Sequence, residues 1–296
     1  MYRGRTPLTP LIRSRRRQLP LSGFVPSLPP ELHRPDRITL VTLNTWKGEG
    51  DYAKRVAAMG SLLAGLDADI VLLQEVLAVP EQGVNTAFAL ARDLGLYATY
   101  HPAREKRRTV EGRRIVCQSG MAILSRHPIR SSSAIQLPAD GRDGERIAQV
   151  AALDIGAPLN VLNVHLSHLK GARDLRQRQF AAALRGLPDD SSSASLVGGD
   201  FNEYVDEEWV SSLAKTAGLS IQNSRWAAPD LSAAPTLIGF DPMDDTPQAR
   251  CLDHVLLVHA SNVPAKRVTD LSHHGDAFAS DHMAVRSTVM WPDLAA

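Results

Sequence analysis

Short apolar segments of strand length recur along this chain, and amphipathic helical segments separate several of them. β-rich or nearly all-apolar runs predict strands at residues 37–44, 69–76, 120–125, 146–155, 159–166, 252–259 and 282–290. Apolar residues at helical spacing predict helices at 51–66, 84–96, 172–187 and 206–218. Mixed strands and helices, with strand-rich later sections, favour an α/β fold in which two β-sheets pack face to face and helices lie outside.

The segment "LVGGDFNEYVDEE", residues 196–208, places Asp200 and Asn202 one residue apart after an apolar run. A strand that ends at Leu196-Val197 and breaks at the two glycines would bring Asp200 to the rim of a sheet. Asn202 would share its face, because side chains alternate along a strand. Two such side chains suit a metal ion, a phosphate, or the N-cap of the helix that follows. This segment alone leaves the three alternatives open.

Polar and ionisable residues also stand at the ends of the other apolar runs. They are Asn44, Glu75, His165, Asp253 and the pair Asp281-His282. Each one by itself has an ordinary structural role available, such as a turn, an ion pair or a satisfied core position. An ionisable side chain beside a buried strand carries a desolvation cost. The recurrence of such side chains at one strand end after another therefore indicates that these strand ends converge on one site.

The composition narrows the classes of function. The chain has 296 residues, of which 44% are hydrophobic and 22% charged, as in soluble globular proteins. No uninterrupted apolar run approaches the roughly 20 residues of a membrane helix. The net charge of +1 does not indicate a strong polyanion binder, and the two cysteines are too few for a disulfide framework or a zinc cluster. We expect a soluble monomer.

Residues 104–118 form a basic segment that predicts a loop or a hairpin. Its cations are Arg104, Lys106, Arg107, Arg108, Arg113 and Arg114. Such a segment either lines a groove for nucleic acid or is a solvated basic loop. The sequence does not decide between these two interpretations.

Seven segments, taken together and in this order, resemble the motifs of the endonuclease/exonuclease/phosphatase superfamily, in particular its deoxyribonuclease and sphingomyelinase branches. They are "TLNTW", "LLQEV", "GMAILSRHPI", "NVHLSH", "GGDFN", "LDHV" and "SDH". The resemblance covers about residues 38–290. It implies a four-layered α/β/β/α sandwich of two packed mixed β-sheets, with the site at one end of both sheets.

The resemblance also implies a role for each polar residue. The metal ligands that it implies are Asn44, Glu75 and Asp281. The catalytic residues that it implies are His165, Asp200, Asn202, Asp253 and His282. Asp253 matches the Asp that orients the catalytic His282, and Arg146 matches a substrate-binding Arg that contacts phosphate. Ser119 stands where deoxyribonucleases carry a Glu beside the second His, so we expect His165 to lack that acidic partner.

Carboxylate and amide oxygens are hard ligands, which favours Mg²⁺ or Mn²⁺ over zinc as the cofactor. With the roles that the resemblance implies, these residues would form a metal-dependent phosphoester hydrolase in which a metal-assisted water attacks. We favour a phosphodiesterase or nuclease, with nucleic acid as a candidate substrate. The alternatives are a phosphatase or phospholipase-type phosphodiesterase acting on a lipid or small phosphoester, and a non-catalytic binding protein on the same fold.

The first 35 residues are rich in Arg and Pro and have no acid before Glu31. A twin-arginine export signal and an organelle transit peptide are two interpretations of this composition. The proline-broken segment after the arginines lacks the apolar core of an export signal. We favour an extended arm over residues 1–35, a catalytic domain over 36–293, and a cytoplasmic location, with export or organelle targeting as alternatives.

Overall fold

The computed structural model describes residues 35–156, 158–188, 195–231, 234–238, 250–260, 267–275 and 278–290. Residues 1–34, nearly all of the predicted arm, lie outside the described residues. The division into an arm and a catalytic domain therefore stays a prediction. Among the described residues, no helix is both long enough and apolar enough to cross a membrane.

Strands dominate the described chain, and four α-helices accompany them. The strands are β1 (Arg37–Asn44), β2 (Ile70–Val79), β3 (Val84–Asn85), β4 (Tyr97–Val110), β5 (Arg113–Ser125), β6 (Ile129–Gln136), β7 (Ile147–Asp154), β8 (Pro158–His165), β9 (Ser195–Asp200), β10 (Leu219–Asn223), β11 (Asp253–Ala260), β12 (Arg267–His274) and β13 (Ala284–Met290). The helices are α1 (Tyr52–Leu66), α2 (Thr86–Leu94), α3 (Arg173–Arg185) and α4 (Glu207–Ala217). Short 3-10 turns cover Pro80–Gln82, Ser224–Ala227 and Pro229–Leu231.

The strands form two mixed sheets. Sheet A has the order β12-β13-β1-β2-β5-β4, with β3 paired beside β2, and sheet B has the order β10-β11-β9-β8-β7-β6. The pairs β1–β2 and β8–β9 are parallel, and the other pairs are antiparallel. The C-terminal ends of β1 in sheet A, and of β8 and β9 in sheet B, carry the polar residues Asn44, His165 and Asp200, whereas Glu75 lies within β2.

Three apolar layers hold the sandwich together. The face of sheet A that carries Leu40 and Leu72 packs directly against the face of sheet B that carries Val161. The opposite face of sheet A is covered by α1 and α2, and the opposite face of sheet B is covered by α3 and α4, where Phe180 and Trp209 stack with ring centroids 5.2 Å apart. The α/β/β/α sandwich predicted from the sequence is confirmed.

Side-chain caps begin three of the helices. Asp51, Asn85 and Asp206 accept hydrogen bonds from backbone N–H groups of the first turns of α1, α2 and α4, as Asx N-caps do. The N-cap of α4 is therefore Asp206 and not Asp200 or Asn202. The capping role that the sequence left open for those two residues is excluded.

Several strands differ from the sequence-based expectation. The basic segment 104–118 is a true hairpin, because β4 and β5 continue through it. Strand β6 was not predicted, since its sequence "IRSSSAIQ" is polar and it lies at the exposed edge of sheet B. Strands β10 and β12 were not predicted either. The final strand begins at Ala284, so Asp281 and His282 precede it.

The prediction that the strand before Asp200 breaks at two glycines is wrong. Gly198 and Gly199 lie inside β9, which continues to Asp200. Gly199 has a φ of +143°, and a Cβ there would lie 2.0 Å from the carbonyl oxygen of Val164 on the adjacent β8. Glycine is required at this position because two backbones approach too closely for any side chain.

We expect Gly199→Ala to lower the free energy of unfolding by at least roughly 2 kcal/mol, since the new methyl group clashes with backbone that cannot move aside. The control is Gly65→Ala in α1, where a Cβ meets nothing within 4 Å. That substitution should stabilise the chain by about 0.5–1 kcal/mol, because alanine is the better helix former. Urea unfolding of both variants is the measurement, and equal effects would contradict the assignment of close backbone packing at Gly199.

Candidate active site

Three polar residues lie in one row across neighbouring strands at one end of sheet B. In the strand register His165 on β8 is opposite Asp200 on β9, and Asp200 is opposite Asp253 on β11. Each of them begins or ends its strand, so the row lies at the rim of the sheet. Asp200 and Asp253 are fully buried, and His165 is partly buried.

Sheet A contributes Asn44 from the end of β1 and Glu75 from within β2, a strand that was expected from the sequence to end near Glu75 but that continues to Val79. Asn44 Nδ2 donates a hydrogen bond to Asp200 Oδ2 over 3.0 Å, which joins the two sheets at the site. Glu75 lies at a β-bulge, where the register of β2 against β5 shifts between Leu73 and Val76, and its φ is +55°. A bulge redirects a side chain at a sheet rim, and here it places Glu75 in the cleft that His165 also lines.

His282 and Asp253 form a buried hydrogen-bonded pair. His282 Nδ1 lies 2.8 Å from Asp253 Oδ2. The turn that carries His282 is fixed by Ser280, whose hydroxyl donates to the carbonyl oxygen of Asn44 and accepts from the backbone N–H of His282. Asp281, between them, is partly buried. The pairing of His282 with Asp253 is the geometry that the sequence predicts.

Asp200 is the central acceptor of the site. Its Oδ2 lies 3.6 Å from His165 Nε2 and 3.9 Å from His282 Nε2, in addition to its bond from Asn44. Burial raises the pKa of Asp200 to about 7, although the nearby charge of His282 opposes this rise. The carboxylate therefore changes its protonation near neutral pH in the absence of a bound cation.

The two histidines are in opposite electrostatic states. Burial alone lowers the pKa of His282, but the charge and hydrogen bond of Asp253 outweigh burial and raise it to about 10. Burial lowers the pKa of His165 well below its usual value, and the cations Arg146 and Lys47 lower it further. His282 is therefore protonated and His165 neutral at pH 7.

Asn202 does not share a strand face with Asp200 as expected, because it follows the end of β9 in a turn with a φ of +50°. Its backbone N–H donates to Asp200 Oδ1 over 2.8 Å, and its Nδ2 donates to the carbonyl oxygen of Leu166 over 3.0 Å. This turn thus holds the Asp200 carboxylate from the side opposite to Asn44.

Arg146 reaches the same cleft from the start of β7. Its guanidinium donates to both carboxylate oxygens of the buried Asp143, over 2.8 and 3.2 Å, and its Nη2 lies 2.6 Å from Nδ1 of His168. The cleft is also lined by Ser119 and His165. Arg146 is therefore a fixed cation at the rim, and its substrate-binding role stays a prediction. Ser119 lines the same cleft as His165.

Two basic residues that the sequence analysis did not select organise the site. Buried Arg55 on α1 donates to five backbone carbonyls in the loop after β1 and the turn before His282, namely those of Thr45, Trp46, Lys47, Glu49 and Ala279. The Nζ of Lys47 lies 2.5 Å from Glu75 Oε1. No local pattern distinguishes Arg55 from a solvated helix residue, because its partners are main-chain atoms far along the sequence.

One group of side chains in the site is close enough to hold a cation, and a second set of ligands is the one predicted from the sequence. Asp200, Asp253 and His282 offer ligand atoms within 4.8 Å of one another, and the His282–Asp253 hydrogen bond, which joins Nδ1 to Oδ2, involves neither His282 Nε2 nor Asp253 Oδ1. The predicted ligands Asn44, Glu75 and Asp281 offer only oxygen atoms. Burial raises the pKa of Asp281, the charge of His282 opposes this rise, and the charge of Glu75 adds to it.

The fold and the cluster together define a class, the two-sheet α/β sandwich with carboxylate, amide and imidazole groups at one end of both sheets. The profile of the Endonuclease/Exonuclease/phosphatase family matches residues 41–282, and the chain belongs to this family. The family includes metal-dependent nucleases and phosphodiesterases. A search of curated proteins finds no match.

Solved structures of the same fold are distant in sequence. An endonuclease/exonuclease/phosphatase from Beutenbergia cavernae DSM 12333 is 18% identical with a TM-score of 0.67, covering 86% of this chain and 71% of its own. TDP2 of D. rerio complexed with single-strand DNA product is 17% identical with a TM-score of 0.62. The match covers 86% of this chain and 98% of the TDP2 chain. The human Nocturnin catalytic domain with bound sulfate is 18% identical with a TM-score of 0.63. The match covers 86% of this chain and 94% of the Nocturnin domain.

The two shifted pKa values give a testable dependence of stability on pH. A folded-state pKa of about 10 for His282 lies above its unfolded value, so the stabilisation is complete below about pH 6.5 and is lost as pH rises through 10. Asp200 adds little change above its pKa of about 7. In EDTA, the stability advantage of the native chain over His282→Gln should fall by roughly 3 kcal/mol between about pH 7.5 and 10.

Urea unfolding of both proteins at several pH values in that window measures this difference. The charge of His282 lowers the pKa of Asp200, so the pKa of Asp200 lies higher in His282→Gln and about 3 kcal/mol is the upper limit of the fall. Titrations away from the site are common to both proteins and cancel. A difference that stays constant across the window would contradict the protonated state of His282.

Proposed function

We propose that this protein is a metal-dependent phosphodiesterase that cleaves its substrate with a water molecule, and that nucleic acid is its substrate class. The observation that carries the proposal is the convergence of the His282–Asp253 pair and His165 on the buried Asp200 carboxylate, beside the oxygen donors Asn44 and Glu75. General acid–base catalysis needs a protonated group and an unprotonated group held in fixed positions close to each other, as they are at this end of the sheets.

The residues of sheet A fit a divalent cation. Asn44, Glu75 and Asp281 would hold Mg²⁺ or Mn²⁺, since they present hard oxygen donors and excess negative charge. A bound cation there would neutralise charge on a phosphoryl oxygen and stabilise the leaving group. Lys47 supplies the positive charge next to Glu75 in this structure.

Within the proposed reaction, Asp200 orients the attacking water. Its pKa of about 7 makes it a competent proton acceptor near neutral pH, and Asn44 and Asn202 fix the carboxylate from two sides. The protonated His282, held by Asp253, stabilises the charge that develops on the phosphate. Neutral His165 and the fixed guanidinium of Arg146 bind the phosphate oxygens.

A phosphatase or phospholipase-type activity is the second candidate, because the family also contains phosphatases by name. The cleft that contains Glu75 and His165 is lined by the charged side chains of Arg104, Glu145 and Arg146 together with the apolar side chains of Met121 and Ile147. Such a lining suits a charged phosphodiester better than a lipid.

The first test addresses the cation site by a binding measurement. We expect Glu75→Gln to weaken Mn²⁺ binding at least about tenfold in titration calorimetry, since one charged ligand is lost. Lys47→Met should strengthen it, because the competing ammonium group disappears. The control is Glu105→Gln on β4, a solvent-exposed carboxylate. Unchanged affinity in Glu75→Gln would exclude Glu75 as a ligand.

The second test addresses the reaction. Bis-p-nitrophenyl phosphate should be hydrolysed with Mg²⁺ or Mn²⁺ and not in EDTA, and a panel of DNA, RNA, sphingomyelin and inositol phosphates identifies the substrate class. His282→Ala and Asp253→Ala should each lower kcat by about 10²–10⁴-fold. The double variant should lose far less than the product of the two, because the residues act as one unit.

His165→Ala is expected to lower kcat less than His282→Ala, because His165 is neutral and has no carboxylate within hydrogen-bonding distance among the described residues. Effects of His282 and Asp253 that simply multiply, or a larger loss in the His165 variant, would contradict this division of roles. Absence of hydrolysis of any phosphodiester with either cation would overturn the proposed function.

A further inference from the structure

The β4–β5 hairpin extends past the rim of sheet B and borders the site. Closer to the core, Thr99 on β4 faces sheet B, where Gln149 donates to its hydroxyl over 2.9 Å. Farther out, Arg104 and Ser119 of the hairpin line the same cleft as Glu75, Arg146 and His165. The turn at residues 111–112 has positive φ at both residues, as in tight two-residue hairpin turns.

The basic residues of this hairpin divide between its two faces. Arg104 is paired with Ser119, and Lys106 with Cys117. Ser119 and Cys117 share the parity of Ile123 along β5, and Ile123 packs between the sheets. The side chains of Arg104, Lys106 and Arg108 therefore continue the inter-sheet face past the rim of sheet B, where that face borders the cleft. Arg107 and Arg114 project from the opposite face.

The cations on the cleft face lie close to one another and to the site. The pKa of Lys106 is lowered first by Arg104, and also by Arg108, Lys47 and Arg146. Arg104 reaches across the cleft to donate to the carbonyl oxygen of Asp143 over 3.1 Å. Within the described part of the chain, no acidic side chain forms an ion pair with Arg104 or Lys106.

Arg104 and Lys106 are neighbouring cations without an acidic ion-pair partner among the described residues, and such a row is unfavourable in the free protein, since like charges repel. Arg146, at the inner end of the row, is paired with Asp143. An anionic ligand relieves this repulsion. Alternate residues of a strand lie about 6.6 Å apart, which is close to the separation of successive phosphates along a nucleic-acid strand. The row begins at Arg146, beside His165, and runs outward through Arg104 to Lys106.

We propose that the cleft face of the β4–β5 hairpin is a track that binds the phosphates on one side of the scissile phosphate in a nucleic-acid strand. The inference rests on the proposed phosphodiesterase activity. It adds the path along which the bound nucleic-acid strand runs away from the scissile phosphate. Arg104 binds the first flanking phosphate and Lys106 the next. The outer face of the same hairpin takes no part.

Adjacent residues on opposite faces provide a matched pair of variants. Lys106 and Arg107 are both exposed cations on β4. Binding of a short fluorescent single-stranded DNA is measured by anisotropy in EDTA over a range of salt concentrations. Lys106→Gln should reduce the slope of log K against log salt by about 0.7, the value for one phosphate contact on a single strand. Arg107→Gln should leave the slope unchanged.

Equal slope changes in the two variants would show a general basic surface and would overturn the track, as would no change in either. The same comparison on anionic phospholipid vesicles is the control for lipid headgroups. A loss of vesicle binding in Lys106→Gln without any loss of DNA binding would also overturn the proposal.

Cleavage tests the direction of the track. The substrates are strands with a single cleavable phosphodiester and with neutral methylphosphonates on one side of it or on the other. Neutral linkages on one side only should lower kcat/KM about tenfold, and Lys106→Gln should remove most of that difference. Equal losses from both sides would overturn the track. If bis-p-nitrophenyl phosphate is not hydrolysed at all, the proposed function fails, whereas the DNA-binding comparison still tests the track.

Discussion

The burial of the Asp200 carboxylate between the two sheets is the constraint on which the rest of the site depends. A buried charge costs several kcal/mol unless donors and countercharges surround it. Asn44 from sheet A and the turn at Asn202 from sheet B supply the donors, and His282 supplies the countercharge. The two sheets cannot shift relative to each other without uncovering this carboxylate, so the site and the sandwich stabilise one another.

A second polar contact lies directly beneath the site and also holds the two sheets in fixed relative position. Gln74 on β2 donates to the side-chain oxygen of Asn163 on β8 over 2.8 Å, and Asn163 donates to the carbonyls of Leu73 and Ala122. All of these groups are buried between the sheets. Because hydrogen bonds are directional and apolar contacts are not, this cross-link fixes the relative position of β2 and β8. Glu75 and His165, one residue and two residues farther along, are thereby held in place.

Much of this arrangement follows from the sequence, and the exceptions have physical reasons. Apolar runs ending in polar residues predicted the strand ends that meet at the site, because burial governs both pattern and position. The glycines before Asp200 were misinterpreted as a break, since the close approach of β8 is a tertiary contact. Strand β6 escaped prediction because an exposed edge strand needs no apolar face. Arg55 carries no local signal, since its partners are backbone carbonyls.

The electrostatic asymmetry of the site explains why its two histidines differ. Burial lowers the pKa of His165, and the charges of Arg146, Lys47, His282 and Arg104 lower it further, so its imidazole is neutral. On the other side, Asp253 and Asp200 surround His282 with negative charge and keep it protonated. An arriving phosphate would offset the cations around His165 and would add negative charge beside the protonated His282. In the proposed reaction, substrate binding would complete a charge balance that the free protein leaves open, and the basic face of the hairpin would extend this imbalance outward along the proposed path of the nucleic-acid strand.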